Sequence, residues 1–154
     1  MNISPVEEYS LRCLVQLARK SGDSPMTIRE ISRQEGLSTA YVAKILSLLQ
    51  KHGLVQGLRG VQGGYKLAKE PAQISLTEIF KAAQSQQFEE VCGKYTGGQT
   101  QCVHTGHCEI KVVWDQLARH IYGFLDRICL ADLAQGGIKF AGASAAREIE
   151  KANA

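Results

Sequence analysis

The chain has 154 residues, 44% of them hydrophobic and 21% charged, with a formal net charge of +3. It therefore reads as a soluble globular protein able to bury a core, either one domain or a small domain with an appended oligomerisation element. No apolar run reaches the ~18 residues of a membrane span, and the opening MNISPVEEYS is acidic where a signal peptide is basic and then apolar, so a cytoplasmic protein is expected.

Five cysteines is an odd number, and in a chain this long it argues for reduced thiols or metal ligands rather than a disulfide-stapled scaffold. Residues 1–84 carry 11 Lys and Arg against 7 Asp and Glu, whereas residues 85–154 carry 7 against 8. The basic excess lies in the first part of the chain, where a nucleic-acid partner would be held.

From Ile3 to Lys20 the apolar residues Val6, Leu11, Leu14, Val15, Leu17 and Ala18 recur near helical spacing, which predicts a first helix closed by Gly22 and Pro25. Thr27 can cap a second helix over Ile28 to Gln34, with Glu30 as its capping-box acid. Gly36 suits the left-handed residue that ends a helix, and Ser38 suits the cap of the next. The third helix, Thr39 to His52, puts Val42, Ile45, Leu46 and Leu49 on one face and leaves Thr39, Ala40, Ala43, Lys44, Ser47 and Lys51 pointing elsewhere. Short helix, glycine turn, amphipathic helix is the helix-turn-helix pattern.

Leu54 to Leu58 then reads as a strand, Arg59 to Gly64 as a glycine-dense turn and Tyr65 to Leu67 as the return strand. A hairpin in this place is a wing, and Arg59 at its tip suits a minor groove, where negative potential is concentrated. A linker over 69–73 leads to a helix opened by Ser75. The segment 85–108 holds Cys92, Cys102 and Cys108, together with His104, His107 and four glycines. Beyond it Ile110, Trp114, Leu117, Ile121, Phe124 and Ile128 fall at intervals of 4, 3, 4, 3 and 4. That is a heptad seam, widened by Val113 and Leu125, and it predicts a dimerisation helix over 109–135. The Ala- and Gly-rich residues 136–154 are expected to form a mobile tail.

The predicted class is thus mainly α with a small β wing, a winged helix-turn-helix domain (1–84) followed by a long C-terminal dimerisation helix. Three thiolates in a glycine-rich loop suit zinc, Cu(I) or an iron–sulfur cluster. The nine- and five-residue gaps between these cysteines are longer than the tight knuckles of structural zinc sites, and a Cys102–Cys108 disulfide is a third use. Cys13 and Cys129 lie beside apolar neighbours and read as buried small hydrophobes. No nucleotide-binding glycine motif, H-E-x-x-H pair or nucleophile elbow occurs, so an enzyme is not expected.

The segments ISPVEEYSLRCLVQLA, LRGVQGGYKLAKEPAQISLTEIF and VVWDQLARHIYGFLDRICLADL, with the three-cysteine loop between the last two, resemble the Rrf family of bacterial winged-helix transcription regulators. The likeness covers roughly residues 1–135 and points to the IscR- and NsrR-like branch that binds iron–sulfur clusters. The resemblance implies a homodimer on a pseudo-palindromic DNA operator. It places base contacts at Ser38, Thr39, Ala40, Ala43 and Lys44, Arg59 in the minor groove, and phosphate contacts at Tyr41 and Lys51.

It also implies a cluster on Cys92, Cys102 and Cys108, 2Fe–2S in preference to 4Fe–4S, that senses redox state, iron or nitric oxide. Such a cluster needs four protein ligands. The IscR branch has a histidine three residues after the last loop cysteine, where this chain has Lys111. The acid of the NsrR branch aligns with Glu8, which would come from the partner subunit; His107 and His104 are the alternatives. The competing function is a zinc-stabilised or thiol–disulfide DNA-binding scaffold without a cluster, acting with a partner enzyme.

Overall fold

The computed structural model describes residues 3–20, 24–60, 63–83, 102, 104 and 108–136. Its first helix, α1 (Pro5–Arg19), starts where Ser4 and Glu7 form a capping box with Pro5 in the first turn, because these residues satisfy donors that a helix start leaves unpaired. Its inner face carries Glu7, Ser10, Cys13, Leu14 and Leu17. Helix α2 (Ile28–Glu35) has the expected Thr27–Glu30 capping box and stops at Gly36, left-handed at φ 66°. Helix α3 (Thr39–Lys51) is capped by the Ser38 hydroxyl and buries Val42, Ile45, Leu46 and Leu49, the four positions expected from spacing.

Strands β1 (Val55–Leu58) and β2 (Gly64–Leu67) pair antiparallel from Val55 opposite Leu67 to Leu58 opposite Gly64. Spacing alone does not reveal a further bridge outside the hairpin. Met26, just before α2, exchanges two backbone hydrogen bonds of 2.8 Å with Tyr65, so the wing is bolted to the helix-turn-helix. A 3-10 turn (Pro71–Gln73) leads to α4 (Leu76–Ala82), capped by Ser75.

The C-terminal part differs from the single helix expected over 109–135. Helix α5 spans Glu109–Leu125, the chain turns at 126–129, and a short α6 spans Leu130–Ala134. The break has a physical cause. Ile128 is 7% exposed, its carbonyl accepts the Leu76 N–H at 3.0 Å, and the Leu130 N–H reaches the Ile74 carbonyl at 2.9 Å. This rung forces extended backbone at Cys129 (φ −105°, ψ 165°), which no helix can continue. Ile128, expected as the last seam position, thus belongs to the interior of the single chain.

Leu130 joins Leu14, Ile31, Val42, Ile45, Leu46, Leu49, Leu54, Ile74 and Ile79 in one buried cluster. Each such side chain contributes on the order of 1.5–3 kcal/mol by leaving water. The core therefore binds α1, α3, the wing base, α4 and α6 into one body, with α5 lying outside it. Among the described residues, no helix is long and apolar enough to cross a membrane.

Candidate nucleic-acid interface and cysteine segment

With its apolar face buried, α3 presents Thr39, Ala40 and Lys44 to solvent, and Lys51 is exposed at its end. Ser38 is exposed, but its hydroxyl oxygen accepts the Tyr41 N–H at 3.2 Å, so what remains for a partner is chiefly its hydroxyl proton. Ala43 is half-buried. Tyr41 is too, its ring edge-on to Tyr9 at 5.8 Å and 86°, and this packing fixes where α1 crosses α3. Arg59 is exposed where the wing strand β1 ends. A cleft of about 430 Å³ beside α3 is bordered by Ser4, Tyr41, Lys44, Ser47 and Lys51, so the cations sit along a concave flank of the helix.

Of the expected sensor residues, Cys92 and His107 lie outside the described residues, as do most of the segment 85–108 and the tail. Cys102 and Cys108 are half-buried and not in disulfides, and His104 is exposed. Cys108 occupies the N-cap position of α5 without a side-chain capping bond, so its thiol is anchored to that helix. Glu8, on the first turns of α1, accepts from Arg12 Nε at 2.7 Å, and its side chain is 44% exposed. The Arg12 Nη1 atom is also 4.0 Å from Glu35, the last residue of α2. Among the described residues of one chain, no three His, Cys, Asp or Glu side chains gather closely enough to hold a metal.

The other two cysteines divide. Cys13 is fully buried, and burial, reinforced by the charge of Glu35, pushes its thiol up to about 12. Cys129, expected as a buried hydrophobe, is half-buried and opens α6. Its thiol and N–H donate to the Asp132 carboxylate at 3.0 and 2.8 Å, and these bonds hold that carboxyl below its usual range.

Helix α5 has no buried residue. Thr77 donates to the Tyr122 carbonyl at 3.3 Å, and Lys81 lies over the Tyr122 ring at 5.5 Å, so one side of the helix rests on α4. The seam lies elsewhere on it: Ile110 is 66% exposed, Leu117 40% and Phe124 45%, with Trp114 and Ile121 half-buried.

A family model described as "Rrf2: Iron-dependent Transcriptional regulator" matches residues 3–136. The chain is 32% identical over 133 residues to the HTH-type transcriptional regulator IscR of Sodalis glossinidius, covering 86% of this chain and 78% of that protein. Identity to IscR of Serratia proteamaculans is 30%, covering 86% and 79%. Among solved structures it is similar to IscR of T. potens, at 29% identity and a TM-score of 0.70, covering 90% of this chain and 89% of that one. It is also similar to CymR, the global cysteine regulator of B. subtilis, at 26% identity and a TM-score of 0.70, covering 88% and 97%.

Proposed function

The chain belongs to the Rrf2 family of iron-dependent transcriptional regulators, and from that premise we propose that it works as a homodimer whose operator binding responds to an iron–sulfur cluster. It is a transcriptional regulator of the IscR type and not an enzyme. In this reading α3 enters the major groove with Ser38, Thr39, Ala40, Ala43 and Lys44 towards the bases, while Tyr41 and Lys51 meet phosphates and Arg59 reaches the minor groove. Two such helices, one per subunit, must match half-sites about one helical turn, or a multiple of one, apart.

Cys92, Cys102 and Cys108 would hold the cluster, with Glu8 of the partner subunit as fourth ligand, and 2Fe–2S is the form favoured. The donors fit chemically: soft thiolates suit iron–sulfur centres, and a carboxylate is the harder, more labile ligand. When bound, the cluster supplies a group sensitive to iron supply, redox state or nitric oxide. The chain's own part is to transmit that state. Arg12 is shared between Glu8 and Glu35, so engaging Glu8 elsewhere frees Arg12 to lean on the end of α2, beside the turn that aims α3.

The observation that carries the reading is the position of Cys108. It opens the helix that bears the exposed apolar seam, so whatever this thiol ligates is fixed to the surface that would pair two subunits. Anaerobic purification tests the proposal. Visible charge-transfer absorption with matching iron and sulfide is expected, lost in Cys102→Ser and Cys108→Ser and altered in Glu8→Ala together with operator affinity. A colourless, zinc-loaded protein would overturn it.

A second reading is thiol–disulfide control without a cluster. It is favoured by two half-buried cysteines outside any disulfide, Cys102 and Cys108, and by the likeness to CymR, solved from Staphylococcus aureus in an oxidized form. It predicts a colourless protein whose DNA affinity changes as these thiols are titrated away by oxidant.

A further inference from the structure

Between the start of α2, the last turn of α3 and the base of the wing lies a cleft of about 550 Å³, bordered by Thr27, Arg29, Gln50, Leu58, Arg59 and Tyr65. Its charged lining residues are both cations. Arg29 and Arg59 are exposed, and neither has an ion-pair or hydrogen-bond partner among the described residues. Glu30, the acid on the same turn as Arg29, is already committed: it accepts the Thr27 N–H at 2.7 Å and the Thr27 hydroxyl at 2.9 Å, and pairs with Lys20 at 3.3 Å.

Two other clefts give the comparison. On the opposite flank of α3, the cleft bordered by Lys44 and Lys51 also has only cations as its charged lining. Away from α3, a cleft of about 580 Å³ mixes Lys20, Lys66 and Lys69 with Glu70, and there Lys20 is engaged by Glu30 and Lys69 by Glu78. Cations not countered by acids thus line both sides of the recognition helix, whereas those on the remote side face carboxylates.

Duplex geometry gives this pattern a meaning. A helix seated in a major groove has a phosphodiester strand along each flank, and the strand on the wing side runs between the helix and the wing's minor groove. We propose that the cleft between α2 and the wing is the seat of that strand, with Arg29 as a phosphate-positioning residue acting alongside Arg59. The guanidinium fork matches two phosphate oxygens at once, and the contact carries no sequence information. Arg29 lies outside the recognition helix, so it fixes the height of α3 over the groove rather than the base sequence read. The inference rests on the DNA-binding reading above.

The test is the salt dependence of binding to a mixed-sequence DNA duplex of about three helical turns, followed by fluorescence anisotropy. Arg29→Ala should weaken binding several-fold at fixed salt and lower the log–log salt slope by about 1 per subunit. Arg29→Lys should keep the parent slope, because the charge is retained, with part of the affinity lost. Lys69→Ala, in the mixed cleft, should leave both unchanged. An unchanged slope in Arg29→Ala, or an equal loss in Lys69→Ala, overturns the assignment. Absence of salt-dependent duplex binding by the parent would instead sink the DNA-binding reading on which it stands. All variants alter exposed side chains, and coincident thermal melts establish that folding is intact.

Discussion

At the scale of single residues, helix caps and buried thiols make distinct demands. The Thr27 N–H and hydroxyl and the Lys20 ammonium lower the Glu30 carboxyl from 4.5 to about 2. A carboxylate depressed by folding contributes fully above its unfolded value, and the contribution disappears as pH falls through the folded one. The Tm difference between the parent and Glu30→Ala should therefore stay constant from neutral pH to about 5 and close towards pH 2. A difference that persists at the acid end would mean the capping box acts without its charge. Cys13 gives the opposite case, since burial holds it as a neutral thiol near 12, far from the thiolate needed for reaction. Alkylation of Cys13 in increasing denaturant should track global unfolding seen by circular dichroism; earlier labelling would show local opening of α1. Thr27, Glu30, Gly36 and Ser38 are readable from sequence because each acts on backbone atoms within about one turn of itself. The N-cap position of Cys129 is not, because a thiol is a poor acceptor for helix N–H groups and it is Asp132 that accepts the Cys129 N–H.

At the scale of elements, the wing shows why glycine recurs in GGY. A Cβ on Gly64 would sit 2.5 Å from the Met26 carbonyl oxygen and 2.8 Å from its carbonyl carbon, backbone that cannot swing aside as a side chain does. Gly64→Ala should open the Met26–Tyr65 rung and cost about 1–3 kcal/mol of stability, read from denaturant midpoints, with DNA affinity falling as the wing loses its anchor. Unchanged stability would show that the rung relaxes freely. The hairpin itself is legible in the sequence, because its strands are adjacent and its turn residues local. The Met26 rung and the Ile74–Leu130 and Leu76–Ile128 bonds are not, since they join single residues far apart in sequence. For the same reason Ile128 keeps heptad spacing while its side chain goes to the core. Periodicity reports which residues want to be buried, and the partner that buries them is a tertiary fact.

At the scale of the whole molecule, the core closes around α1, α3, α4 and α6 and leaves the seam of α5 in water. The proposed DNA-reading face on α3 and the proposed pairing face on α5 are thus separate surfaces, and disabling one is expected to leave the other folded. Leu117, 40% exposed in the single chain, is the natural place to separate them. By two-fold symmetry a Leu117→Glu substitution enters the proposed interface twice. Each copy removes a large apolar contact worth about 1.5–3 kcal/mol and introduces a carboxylate that is costly to bury unpaired. At about 1.4 kcal/mol per tenfold, the dimer should weaken by two orders of magnitude or more in sedimentation equilibrium. Helical circular dichroism and the melting of the DNA-binding body should stay close to the parent, because α5 contributes no buried residue to it. Affinity for a two-half-site operator should fall much further than affinity for one half-site, since losing the second subunit removes its effective concentration at the neighbouring site. Equal losses on both targets, or a dimer of unchanged strength, would place the pairing surface somewhere other than α5.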